Sequence, residues 1–191
     1  MAIEVQRVLT RADVEQMVRT GELRQDDFWE FVNGEIVRLA PAFDPQGPIC
    51  ALIIAEIVPF ARQIHGRVGD GQTGFWVGEH FQQLRAPDVS LVTRERLHII
   101  QQQGFNTAAP DLAVEVLSGS EFGRAYSVTK LNEYFAAGSK VVWFVDSRDR
   151  SVREHFPNET EFRVYRGDAA ITLDAIAPGF SCPVSRFFPE E

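Results

Sequence analysis

Lysine is nearly missing from this chain: Lys130 and Lys140 are the only two, and the remaining basic residues are arginine. Cysteine is as scarce. Cys50 and Cys182 are too few for a disulfide framework or a zinc cluster, and both read as small core residues in a reducing setting. No run reaches the roughly 20 apolar residues of a membrane helix. The best, ICALIIAEIVPFA, is short and is interrupted by Glu56 and Pro59, so no membrane is expected. The opening MAIEVQRVLT lacks a basic stretch followed by an apolar one; no secretory signal is read, and the expected compartment is cytoplasmic. His65, His80, His98 and His155 share no ligand spacing, so they read as surface or cap residues and zinc is not expected. Gly71 and Gly74 are followed by no strand–loop–helix with GK[ST], which excludes a phosphate loop. A net charge of −8 argues against strong non-specific DNA binding, which rests on phosphate contacts. It leaves room for a local basic groove, and acids gathered around a metal would add to the negative sum.

What is present suits one globular domain spanning residues 1–191, with 45% hydrophobic residues and no repeat or linker. Thr10 caps a short helix over 10–19. Asn33-Gly34, between aromatic and β-branched runs, predicts a hairpin whose turn needs positive φ at both positions. The segment 46–66 reads as a helix with Ile49, Ile53, Ile57, Phe60 and Ile64 as its inward stripe. Strand patterns follow in RVGDG, TGFWVGEHFQQL and PDVSLV, then in 111–117, KVVWFVD, SVREHF and ETEFRVYRGD. Between the strands 111–117 and KVVWFVD lies a helix ended by Gly138, with Val128, Leu131 and Phe135 on one face. Phe28, Trp29, Phe31, Phe75 and Trp76 read as core; a base-stacking platform would want basic residues between them. The fold class is therefore α/β (α+β): a mixed β-sheet flanked by helices, with an additional N-terminal β-hairpin.

The stretch PDLAVEVLSG carries the chemistry. Both faces of this strand are apolar, yet Glu115 stands in its middle. A buried ionised carboxylate is costly unless paired, hydrogen-bonded or bound to a metal. Asp88, at the mouth of the apolar strand in APDVSLV, meets Glu115 if the two strands are near neighbours. Two such carboxylates, with the backbone carbonyl of Val116 and waters, suit Mg²⁺ or Mn²⁺. Asp111 lies on the same face but about 13 Å along the strand, too far for one metal. Lys130 falls at the edge of the helix's buried stripe beside Tyr126 and Tyr134, where its ammonium would hold an attacking water or offset charge on a phosphate. Two acids, a divalent metal and a lysine form a kit for phosphodiester hydrolysis. The plain alternatives are a structural ion pair for Glu115, a strand-initiating acid or turn cap for Asp88, and a solvated helix lysine beside Glu133 for Lys130.

The ordered segments FWEFVNGEIVRLAP, APDVSLV, APDLAVEVLSGS, TKLNEYFAAGSKVVWFVDSRDRSVREHF and APGFSCPV resemble the Uma-type family of restriction endonucleases, within the PD-(D/E)XK nuclease superfamily. The resemblance runs from about Asp26 to the C-terminus. It implies a restriction-endonuclease-like core with a metal-dependent site acting on DNA. By match, Asp88 takes the place of the PD aspartate and Glu115 that of the (D/E) acid. Leu117 stands where the motif has lysine, and Lys130, in the family's K-x-x-E-Y pattern, is the displaced catalytic lysine. Glu30 matches a recurrent family acid that approaches the site; read alone, it is a cross-strand partner facing Val37. Where relatives often carry a histidine before the long helix, this chain has Gln46, and the loop SGSEFGRAYS is plainer than theirs. Those departures favour the alternative of a nuclease scaffold kept as an inactive binding or regulatory module. Superfamily members often pair to cut both strands, so the resemblance allows a homodimer, while the residues themselves leave the oligomeric state open.

Overall fold

The protein was analysed as a computed structural model that describes residues 8–24, 27–39, 44–101, 104–117 and 124–190, with backbone only at 124–127. The N-terminal helix α1 (Arg11–Thr20) is opened by a capping box between Thr10 and Asp13. Strands β1 (Trp29–Val32) and β2 (Glu35–Arg38) form the hairpin, and its turn residues Asn33 and Gly34 both take positive φ, 52° and 83°. Helix α2 (Gln46–Gln63) runs through Pro59, with Ile49, Ile53, Ile57 and Phe60 buried and Ile64 half-buried just beyond it.

Next come β3 (Arg67–Asp70), β4 (Phe75–Val77), β5 (Gln83–Arg85) and β6 (Val89–Val92). After a 3-10 helix (Arg94–Ile99) the chain forms β7 (Leu112–Leu117), α3 (Arg124–Ala136), β8 (Val141–Asp146), β9 (Ser151–His155) and β10 (Arg163–Arg166). A small pair, β11 (Ala170–Thr172) with β12 (Ser181–Pro183), closes the chain before a last 3-10 turn.

The principal sheet is mixed, ordered β10-β9-β8-β7-β6-β3. Only β7 and β8 run parallel, joined by the α3 crossover; the other pairs are antiparallel. Alternation along β7 sends Val114 and Val116 to one face and Ala113 and Leu117 to the other. The first face packs on α2 and the C-terminal turn, through Ile49, Ile53, Trp143 and Phe187. The second packs on α3 and β4, through Tyr134, Ala137, Phe75 and Phe144. Each fully buried Leu, Ile or Val contributes roughly 1.5–3 kcal/mol. The N-terminal hairpin does not stand apart: with β5 and β4 it forms a second sheet, β2-β1-β5-β4, whose core of Trp29, Phe31, Trp76 and Leu84 holds α1. Among the described residues no helix is long and apolar enough to cross a membrane.

Three expectations are corrected. Val128 is 45% exposed, and the most buried face of α3 carries Lys130, Glu133, Tyr134 and Ala137. Phe28 is exposed, so the aromatic core lacks it. His155 is no surface cap: its ring packs between Phe144 and Phe162, and burial with Arg153 nearby pushes its pKa down to about 4.

Candidate active site

Five elements deliver side chains to one buried polar cluster. Glu30 comes from β1, Arg85 from β5, Asp88 from the residue before β6, and Glu115 from the middle of β7. Helix α3 adds Lys130, Glu133 and Tyr134, whose spacing puts them on one helical face. Glu115 is 5% exposed and Lys130 4%, which overturns the solvated lysine as the reading of Lys130.

The distances define a chain of contacts. Lys130 Nζ donates to Glu115 Oε2 at 2.8 Å, and Tyr134 donates its hydroxyl to Glu115 Oε1 at 2.6 Å. Lys130 Nζ also lies 3.7 Å from Glu30 Oε1. Arg85 Nη1 donates to Glu30 Oε2 at 2.7 Å, while Arg85 Nε and Nη2 grip Glu133 at 2.6 and 3.2 Å. Glu30 faces Val37 in its hairpin, as the turn register dictates, and its side chain turns inward to accept the Ala86 N–H as well. Tyr126, expected beside Lys130, has its side chain outside the described residues, as does most of the loop SGSEFGRAYS.

Asp88 joins the cluster through the backbone. Val116 donates its N–H to Asp88 Oδ2 at 2.6 Å, and Gln46 Nε2 donates to Oδ1 at 3.1 Å. Gln46 thus reaches the site from the start of α2. The N–H and C=O of one strand residue leave the same edge, so the Val116 carbonyl faces the side on which Asp88 stands. Asp111, by contrast, is spent elsewhere on the Thr93 N–H, Arg96 and Lys140.

The electrostatics are strained toward negative charge. Burial, followed by the opposing pull of Lys130 and the push of Asp88 and Glu30, leaves the Glu115 carboxyl raised to about 7. The same burial and neighbouring acids push the Cys50 thiol up to about 12 and the Tyr134 hydroxyl well above its usual range. Among the described residues the cluster sets Glu30, Asp88, Glu115 and Glu133 against Arg85 and Lys130, so full ionisation leaves two negative charges in excess. A divalent cation matches that excess and would lower the Glu115 carboxyl again. The donor set fits such an ion: two carboxylates and a backbone carbonyl are hard oxygen ligands. Mg²⁺ keeps several waters and needs only one or two carboxylates, and among the described residues no group of three His, Cys, Asp or Glu forms a cage.

Sequence reasoning named Asp88, Glu115, Val116, Lys130 and Glu30, and the structure brings all five together. It missed Arg85 and the inward role of Glu133. Glu133-Tyr134 carried a signal in their helical spacing from Lys130; Arg85 carried none.

The mixed sheet with its helices defines a nuclease-like α+β fold. It matches the crystal structure of a "putative nuclease belonging to DUF820" from Anabaena variabilis ATCC 29413, with a TM-score of 0.66 and 18% identity, covering 84% of this chain and 89% of that one. At that identity the likeness is one of fold. The chain itself belongs to the Uma2 family, described as "Putative restriction endonuclease", whose profile matches residues 12–185. No curated protein matches the chain.

Proposed function

We propose that the protein is a metal-dependent DNA endonuclease that hydrolyses phosphodiester bonds. The observation that carries this reading is the Asp88–Val116 hydrogen bond at 2.6 Å, which fixes a second carboxylate on the backbone beside Glu115. Asp88, Glu115 and the Val116 carbonyl would hold Mg²⁺ or Mn²⁺. When bound, such an ion supplies Lewis-acid polarisation of a phosphoryl oxygen and a more acidic water. Lys130 places a positive charge within reach of that region and offsets negative charge growing on the phosphate. Tyr134 fixes the orientation of the Glu115 carboxylate. Glu30, held by Arg85, keeps a second carboxylate 3.7 Å from the Lys130 ammonium.

A second reading is favoured by one feature: both oxygens of Glu115 already accept protein donors. On that reading the network is structural, and the protein is an inactive binding or regulatory module. One experiment separates the two. Plasmid and single-stranded DNA are incubated with purified protein and Mn²⁺, beside Asp88→Ala and Glu115→Ala variants checked for fold by circular dichroism. Cutting by the parent that is lost in both folded variants is expected. Absence of cutting, or cutting equal in all three, sinks the endonuclease reading.

A further inference from the structure

A cavity of about 310 Å³ opens at the β3 edge of the principal sheet, walled by β3, the turn after it, β6 and the segment around Phe105. We infer that it is a base subsite, which takes one unpaired nucleobase of the DNA strand; the inference rests on the nuclease reading above.

Ser90 marks the floor. Its side chain is 1% exposed, lines the cavity and, among the described residues, has no hydrogen-bond partner for its hydroxyl. A buried hydroxyl left unpaired is costly, and a native structure that keeps one calls for a missing partner. The hydroxyl is shut off from bulk water, and Gly69 leaves the space beside it free of a side chain. A side chain at Gly69 would bring its Cβ within 2.7 Å of both Ser90 Oγ and Thr73 Oγ1 and would cover it. The backbone at Gly69 does not demand glycine, since its φ is not positive, so the requirement is one of space.

The chemistry of the lining selects the ligand. Half-buried Phe105 offers apolar ring surface, and Gln72 and Gln101 offer amides that both donate and accept. The one formal charge is Arg67, exposed at the rim. The buried part of the ligand is therefore flat and uncharged, with donors and acceptors along its edge, and its negative charge stays outside. That describes a nucleobase with its phosphate at Arg67. The position agrees. Ser90 follows Asp88 by two residues, about 7 Å along the strand. The turn holding Gln72 and Thr73 also passes near the acid: a Cβ added at Gly71 would lie 3.9 Å from Asp88 Oδ1.

The test uses the full chain in EDTA at low ionic strength, so that binding is read without cleavage. Labelled single-stranded oligonucleotides, each with one abasic site at a successive position, are titrated by fluorescence anisotropy. One position is expected at which the missing base weakens binding about tenfold. That dependence should vanish in Ser90→Ala, which only removes a hydroxyl, and shrink in Gln101→Ala, which alters an exposed residue. A flat abasic profile overturns the inference, as does a positional loss unchanged in both variants. Competition by free deoxynucleotide with no positional effect in the strand also overturns it. Positional dependence in a protein that never cuts DNA would sink only the nuclease reading; cutting with a flat profile would sink only the subsite.

Discussion

Glu115 is held by an ammonium on one oxygen and a phenol on the other, and each partner answers a different requirement. Lys130 supplies the opposite charge that a buried carboxylate needs; Tyr134 supplies a fixed donor. Burial still wins, and the carboxyl is raised from 4.5 to about 7. The sign of its effect on stability follows. Between those pH values the native state holds a proton that the unfolded chain releases, so the group favours folding below about 4.5, and that contribution is lost as pH rises through about 7. Removing the ammonium sharpens this. Lys130→Met is expected to lower stability by about 3–5 kcal/mol at alkaline pH, where an uncompensated charge stays buried. At pH 5 the loss should be smaller, because Glu115 takes up a proton instead. Adding Glu115→Gln should recover most of it. Guanidinium denaturation of the single and double variants at the two pH values measures the coupling; equal losses at both pH values, or no recovery in the double variant, would contradict it.

At the scale of elements, the legible parts were those whose pattern is set by water. The stripe Ile49, Ile53, Ile57 and Phe60 needed only one apolar face, and Asn33-Gly34 needed only a turn of positive φ. Helix α3 misled for a physical reason. Its apolar stripe suggested that Val128, Leu131 and Phe135 point inward; Leu131 and Phe135 do pack on the core, but Val128 is exposed and the deepest face is Lys130, Glu133 and Tyr134, buried because their partners lie on other strands. Arg85 was invisible for the same reason: its two carboxylates come from residues 55 and 48 positions away, and no local spacing encodes such a pairing. Two glycines test the element-level reading. Gly34→Ala is expected to cost about 1–2 kcal/mol, since an L-residue is strained at that positive φ. The new Cβ would also collide with Val8 Cγ1. Gly47→Ala, in the first turn of α2, is expected to leave stability within about 0.5 kcal/mol of the parent, because the gain in helix propensity is offset by crowding of the new Cβ against the Pro48 ring. Thermal unfolding of both variants decides; a Gly34→Ala protein as stable as its parent would contradict the turn assignment.

Over the whole molecule a charge of −8 has to be reconciled with the proposed polyanionic substrate. Long-range attraction does not supply the encounter. Nor do the cluster's own cations reach out freely, because Arg85 and Lys130 both grip carboxylates. Neutralisation of the strand then falls to exposed arginines such as Arg67 and to the divalent ion expected at Asp88 and Glu115. Those two sources have different salt signatures. Each phosphate neutralised by a side chain adds about 0.9 to the slope of log K against log salt for duplex DNA. With few such contacts, the slope measured with NaCl in EDTA is expected to be shallow, about −3 or less in magnitude, with weak binding. Mg²⁺ at the same ionic strength should strengthen binding about tenfold or more in the parent and leave Glu115→Ala unchanged. A steep slope in EDTA, with Mg²⁺ acting only as another salt, would place the binding on a basic surface away from the acid pair and would remove the ion from the account of how this acidic protein holds DNA.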